Sequence, residues 1–133
     1  MIPNIAKHLA ECDRVSYVNL CTQRDVGAVV VKCGDVVSVG RNTMPGHDAC
    51  VLGGCPRGAY RDGKVQKRPD YSDCVAVHAE MNALLRAGTT QSHGAILVVN
   101  STPCYLCTRL ARGAGIIEIV YRDQSGDIIE IVF

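Results

Sequence analysis

Two short stretches, His78-Ala79-Glu80 and Pro103-Cys104-Tyr105-Leu106-Cys107, constrain this fold more than any other part of the chain, because their side chains form a useful set only if they meet. The separation between them fits one helix and one strand, so folding must bring the second stretch back to the first. Cys104 and Cys107 are spaced i, i+3, which on the first turn of a helix puts both sulfurs on one face, and Pro103 suits such a start. The positive end of that helix favours thiolates. His78 sits near the start of a second helical segment, Cys74 to Ala87, where Val77, Met81, Leu84 and Leu85 recur at helical spacing. Two helix starts are therefore expected to face one point.

One His and two Cys suit a catalytic zinc, which takes three protein ligands and keeps a fourth position for water, whereas a structural site fills all four positions. Glu80 lies roughly 200° around a helix from His78 by the 3.6-residue period, so it does not point straight at the same ion and suits a proton carrier beside it. Zinc lowers the pKa of a bound water to about 7. Glu80 can then take a proton, leave hydroxide to attack an amidine carbon, and protonate the departing nitrogen. Read singly, the parts are ambiguous. A lone C-x-x-C is also a redox pair or half of a structural zinc site, a lone helix His more often packs, and an isolated Glu80 reads as a solvated carboxylate.

Around these stretches the hydrophobic pattern predicts an α/β chain in the order α-β-β-α-β-α-β-β. Ile5, Leu9, Cys12 and Val15 mark an amphipathic helix over Ile5 to Asn19. The β-branched runs Val26 to Lys32 and Val36 to Arg41 flank Cys33-Gly34-Asp35, a short connection of hairpin type. Asn42 to Asp73 has little periodicity and reads as a long loop, either functional or metal-tied. The helix carrying His78 is expected to end at Gly88. Strands follow over Ala95 to Asn100, Ile116 to Tyr121 and Ile128 to Phe133, with a helix from near Cys104 to about Gly113 before the second of them. A strand-helix-strand crossover makes the Ala95 and Ile116 strands parallel. The expected architecture is a three-layer α-β-α sandwich around a mixed, largely five-stranded sheet.

At 133 residues the chain has room for one hydrophobic core, so residues 1–133 are read as a single domain. No apolar run approaches the ~20 residues needed to cross a bilayer, and the start lacks a basic stretch followed by an apolar one, so a cytoplasmic protein with no membrane partner is expected. The net charge of +1, from 14 basic and 13 acidic side chains, gives no reason to expect a nucleic-acid partner. Eight cysteines without a secretory start read better as metal ligands in a reducing compartment than as disulfides.

H-x-E followed by P-C-x-x-C is the signature of zinc nucleobase deaminases. With H-A-E-M-N-A and P-C-Y-L-C in place, the chain resembles the cytidine deaminase superfamily and, within it, most resembles the deoxycytidylate (dCMP) deaminase family. Cys21 to Val30, Asn42 with Pro45-Gly46, and Ala114 to Tyr121 carry the likeness further, over nearly the whole chain. The resemblance implies a cytidine deaminase-like fold, hydrolysis of dCMP to dUMP and ammonia, a small-molecule nucleotide partner and a homo-oligomer. It implies that His78, Cys104 and Cys107 hold catalytic zinc and that Glu80 shuttles the proton. It also implies that the Ala79 backbone meets the pyrimidine carbonyl, that Asn42 bonds the sugar, and that Val26 packs near the base.

By comparison with bacterial and phage relatives, Cys21, Cys50, Cys55 and Cys74 are expected to hold a second, structural zinc that pins the long loop, with His47 as reserve ligand. Family members usually carry an aromatic residue and a glycine where this chain has Arg41 and Thr43, on either side of Asn42. Phosphate recognition is expected from Arg24 or Arg41. Because the departures fall beside the sugar and phosphate, a deaminase of free cytidine, cytosine or guanine is the alternative enzyme. A purely structural zinc module is the alternative of another class, and an intact Glu80 speaks against it.

Overall fold

The computed structural model describes residues 2–16, 25–43 and 76–133. In these, helix α1 (Ile5–Ser16) precedes strands β1 (Gly27–Lys32) and β2 (Asp35–Arg41), helix α2 (Ala79–Ser92), strand β3 (Ile96–Val99), helix α3 (Tyr105–Gly113) and strands β4 (Glu118–Arg122) and β5 (Ile128–Val132). The sheet order is β2-β1-β3-β4-β5. β3 and β4 pair in parallel, as the crossover requires, and the other neighbours are antiparallel. Cys33 and Gly34 join β1 to β2 with φ of 53° and 85°, the left-handed pair that a two-residue hairpin turn needs.

The central strands read as continuous apolar runs because helices cover both faces. On one face Val26, Ala28, Val30, Leu97, Val99 and Ile119 pack with Ala79, Ala83 and Leu84 of the α2 side and Ala111 of α3. On the other, Val29, Val31, Val98 and Val120 pack with Leu9 and Cys12 of α1. This is the expected three-layer α-β-α arrangement around a mixed five-stranded sheet. At β2 and α2 the two layers approach unusually closely. A Cβ on Gly40 would sit 2.2 Å from the Ala79 carbonyl oxygen and 2.4 Å from the Ala83 nitrogen. Ser38 Oγ, one alternation away on the same face, donates to the Ala83 carbonyl at 2.6 Å.

Three expectations about α2 need correction. Its core side is Ala79, Ala83 and Leu84, while Leu85 is 71% exposed, because small residues are what the close approach to β2 admits. His78 is not inside the helix but caps it in extended geometry (φ −67°, ψ 156°), so the helical angle between His78 and Glu80 does not apply. Gly88 breaks the helical geometry with φ 72°, yet helical turns resume as far as Ser92. The first helix was expected to reach Asn19, but residues 17–24 lie outside the described residues, as does nearly all of the expected Asn42 to Asp73 loop.

Candidate active site

Because β2 and β3 are both antiparallel to β1, they run in the same direction and end at one edge of the sheet. Asn42 follows β2 at that edge, and Cys104 follows β3. Gly27, which opens β1, and Val26 just before it lie there too: Asn100 Oδ1 accepts from Gly27 N at 2.9 Å. The starts of α2 and α3 converge on the same edge, so two helix N-termini supply positive potential at one place.

Cys104 is the N-cap of α3, and its sulfur accepts from Cys107 N at 3.4 Å, which turns both thiols to one side. His78 Nδ1 lies 3.3 Å from Cys107 Sγ and 3.5 Å from Cys104 Sγ, and all three residues are buried. Their ligand atoms lie within 4.8 Å of one another. A tetrahedron with zinc–sulfur and zinc–nitrogen bonds of ordinary length has an N···S edge of roughly 3.5 Å, so both N···S distances suit a zinc ion. Among the described residues this is the one group of three or more His, Cys, Asp or Glu side chains placed to hold a metal.

The electrostatics divide the two thiols. A hydrogen bond from Cys107, stronger than the opposing burial, holds the Cys104 thiol down at about 4, with His78 assisting. Cys107 is pushed up by the same hydrogen bond, by burial and by the Glu80 carboxylate facing it. Of the two, Cys104 is the readier thiolate, and both would be deprotonated if they held a metal. Glu80 is only 2% exposed, which removes the reading of a solvated helix carboxylate.

The expected substrate contacts are brought together in part. Asn42 is 4% exposed, and its Oδ1 accepts from Ala79 N at 2.7 Å, so these two groups engage one another here. Val26 is 1% exposed in the same core cluster as Ala79. Arg41, the last residue of β2, alternates with Gly40 and therefore starts on the opposite face of the sheet. Its Nε is buried and has no hydrogen bond among the described residues. Arg24, Cys21, His47, Cys50, Cys55 and Cys74 lie outside the described residues. Cys12 is inert: its thiol donates to the Val98 carbonyl at 3.3 Å, and burial pushes it up to about 12.

Sequence reasoning quoted Asn82 within H-A-E-M-N-A but gave it no role. Its Nδ2 donates to the Arg41 carbonyl at 2.8 Å and to Thr43 Oγ1 at 3.0 Å, with the Val77 carbonyl at 3.4 Å. An asparagine inside a helix, where its propensity is poor, was the available signal.

Residues 5–123 match the model of the cytidine and deoxycytidylate deaminase zinc-binding region. The chain is 43% identical to a deoxycytidylate deaminase of Mycobacterium phage D29, over 79% of this chain and 83% of that one. It is 39% identical to the deoxycytidylate deaminase of Schizosaccharomyces pombe over 76% of its own length, but spans only 31% of that longer protein. Among solved structures, it is similar to the dCMP deaminase from cyanophage S-TIM5 in complex with dCMP and dUMP. That likeness has a TM-score of 0.62 and 26% identity, and covers 92% of this chain and 84% of the other.

Proposed function

The chain belongs to the cytidine and deoxycytidylate deaminase family, and on that premise we propose that it converts dCMP and water to dUMP and ammonia. The observation that carries this reading is a buried glutamate, Glu80, facing the His78–Cys104–Cys107 cluster at the edge where Asn42 and Ala79 also lie. Zinc held by His78, Cys104 and Cys107 would acidify a water enough for attack at neutral pH. Glu80 takes a proton from the attacking water and returns it to the exocyclic nitrogen, which leaves as ammonia. Asn42 holds the sugar. The Ala79 N–H serves the pyrimidine carbonyl while shared with the Asn42 oxygen that accepts from it. Val26 forms the wall beside the base.

Alternation along β2 speaks against Arg41 as a phosphate contact, which leaves Arg24 as the candidate of the two. We read residues 1–133 as one deaminase domain, working as a homo-oligomer in a reducing cytoplasm where Cys104 and Cys107 stay thiols. Exposed Leu85, Leu106 and Leu110 are the surface that self-association would cover. A second zinc on Cys21, Cys50, Cys55 and Cys74 is proposed from the sequence alone. About two zinc ions per chain by elemental analysis is the result expected, and about one removes that claim.

The test of the reaction is ammonia release from a panel of dCMP, CMP, deoxycytidine, cytosine and guanine. dCMP should be turned over with the highest kcat/KM. Preference for a free nucleoside or base would overturn the assignment of substrate.

A further inference from the structure

Asn42 reaches Ala79 only if the end of β2 and the segment leading into α2 are held in register, and one side chain grips both. The backbones of Thr43 and Val77 exchange hydrogen bonds of 3.0 and 2.7 Å. Asn82, on the first turns of α2, points its carboxamide nitrogen between them. It donates to Arg41 O and Thr43 Oγ1, the residues on either side of Asn42, and lies near Val77 O, which immediately precedes His78. The Asn82 backbone N–H also donates to the His78 carbonyl at 3.0 Å. One residue thus spans the strand end that carries Asn42 and the cap that carries His78.

We propose that Asn82 is a positioning residue that fixes the Asn42 carboxamide against the Ala79 N–H, and so sets how tightly the substrate is held. It touches neither the reacting atoms nor the metal ligands through its side chain. Each of its two short hydrogen bonds restrains a neighbour of Asn42; without them Arg41 keeps its pairing with Gly27 and Thr43 its bridge to Val77, but among the described residues no side chain ties the strand end to α2 except Asn42 itself. The effect on substrate binding rests on the deaminase reading. The effect on Ala79 does not.

The test therefore has two readouts on the zinc-loaded full chain. The first is hydrogen exchange at the Ala79 amide in wild type, Asn82→Ala, Asn42→Ala and the double variant. Asn82→Ala should speed exchange at Ala79 by about tenfold, the scale of one lost hydrogen bond. In the Asn42→Ala background it should add almost nothing, since the acceptor is already gone. The second readout is a split of kinetic constants: Asn82→Ala should raise KM for dCMP more than it lowers kcat, with zinc content unchanged. Thr43→Val, which removes one acceptor and keeps the backbone bridge, should move both readouts in the same direction by less, and serves if Asn82→Ala does not fold. Unchanged Ala79 protection in these variants would overturn the proposal, as would additive effects of Asn82→Ala and Asn42→Ala. Faster exchange spread evenly along α2 with a lower Tm would reduce Asn82 to a structural role and overturn it too. If wild type leaves dCMP unchanged while the exchange pattern holds, the substrate assignment fails and the positioning role stands.

Discussion

Replacing Gly40 with alanine tests whether the close approach of β2 and α2 is what places the metal ligands. The added methyl would meet the Ala79 carbonyl oxygen at 2.2 Å and the Ala83 nitrogen at 2.4 Å, and both belong to helix backbone that cannot rotate away. Restoring ordinary contact requires α2 to retreat by about 1 Å, a strain of the kind that costs roughly 1–3 kcal/mol in packed cores. For a chain of this size that is a fall in Tm on the order of 5–10 °C. His78 caps the displaced helix, whereas Cys104 and Cys107 sit on α3. Metal sites tolerate ligand shifts of only about 0.2 Å, so zinc per folded chain should drop more steeply than stability alone explains. Gly27→Ala is the matched control. Its methyl would lie 1.9 Å from the Cys12 carbonyl oxygen, an equal clash on the opposite face of the sheet. Thermal unfolding followed by zinc analysis of the folded fraction separates the two. If Gly40→Ala keeps wild-type zinc, or Gly27→Ala loses as much of it per folded chain, the reasoning is refuted.

Glu80→Gln should keep zinc and fold while turnover falls at least ~10²-fold, because only proton transfer is removed; near-normal kcat would sink the assigned role. Cys107→Ala should lose the metal, since a His and a single Cys remain, and undiminished zinc by atomic absorption would exclude Cys107 as a ligand. Asp13 tests the electrostatics of the α1 face. Burial raises its carboxyl, but hydrogen bonds from Arg122 and Asn100 prevail and hold it below its ordinary 3.8. The folded state therefore favours the ionised form, and its contribution is present above that value and lost as pH falls through the lower folded pKa. For a pair so exposed the contribution is at most about 1 kcal/mol. The stability gap between wild type and Asp13→Asn in urea should be largest near neutral pH and close below pH 4, and a gap that widens on acidification would contradict the assignment.

Much of the site was legible because its residues act at element ends. Pro103 and the i, i+3 cysteines announce a helix start, and the structure puts Cys104 at the cap, where its sulfur bonds Cys107 N. Periodicity failed on α2 for a physical reason. It weighs large apolar residues, so it selected Met81 and Leu85, whereas contact with Gly40 requires the small Ala79 and Ala83 on the inner side. The relation of His78 to Glu80 was misjudged because a cap residue does not follow the helical period. Asn82 stood in the H-A-E-M-N-A stretch without a role, because its partners are backbone and hydroxyl oxygens distant in sequence, and no pattern of residue types encodes where a carbonyl points.

The tight β1–β2 turn has a practical corollary. Of the described cysteines, Cys12, Cys104 and Cys107 are buried and Cys33 alone is exposed. It sits at the far end of β1, and six residues of strand at about 3.3 Å each put it roughly 20 Å from the edge where His78 and Glu80 lie. A probe or surface tether coupled to Cys33 would therefore stand clear of substrate entry and of the metal ligands. The hairpin tip offers the molecule a handle by which it can be watched while it works.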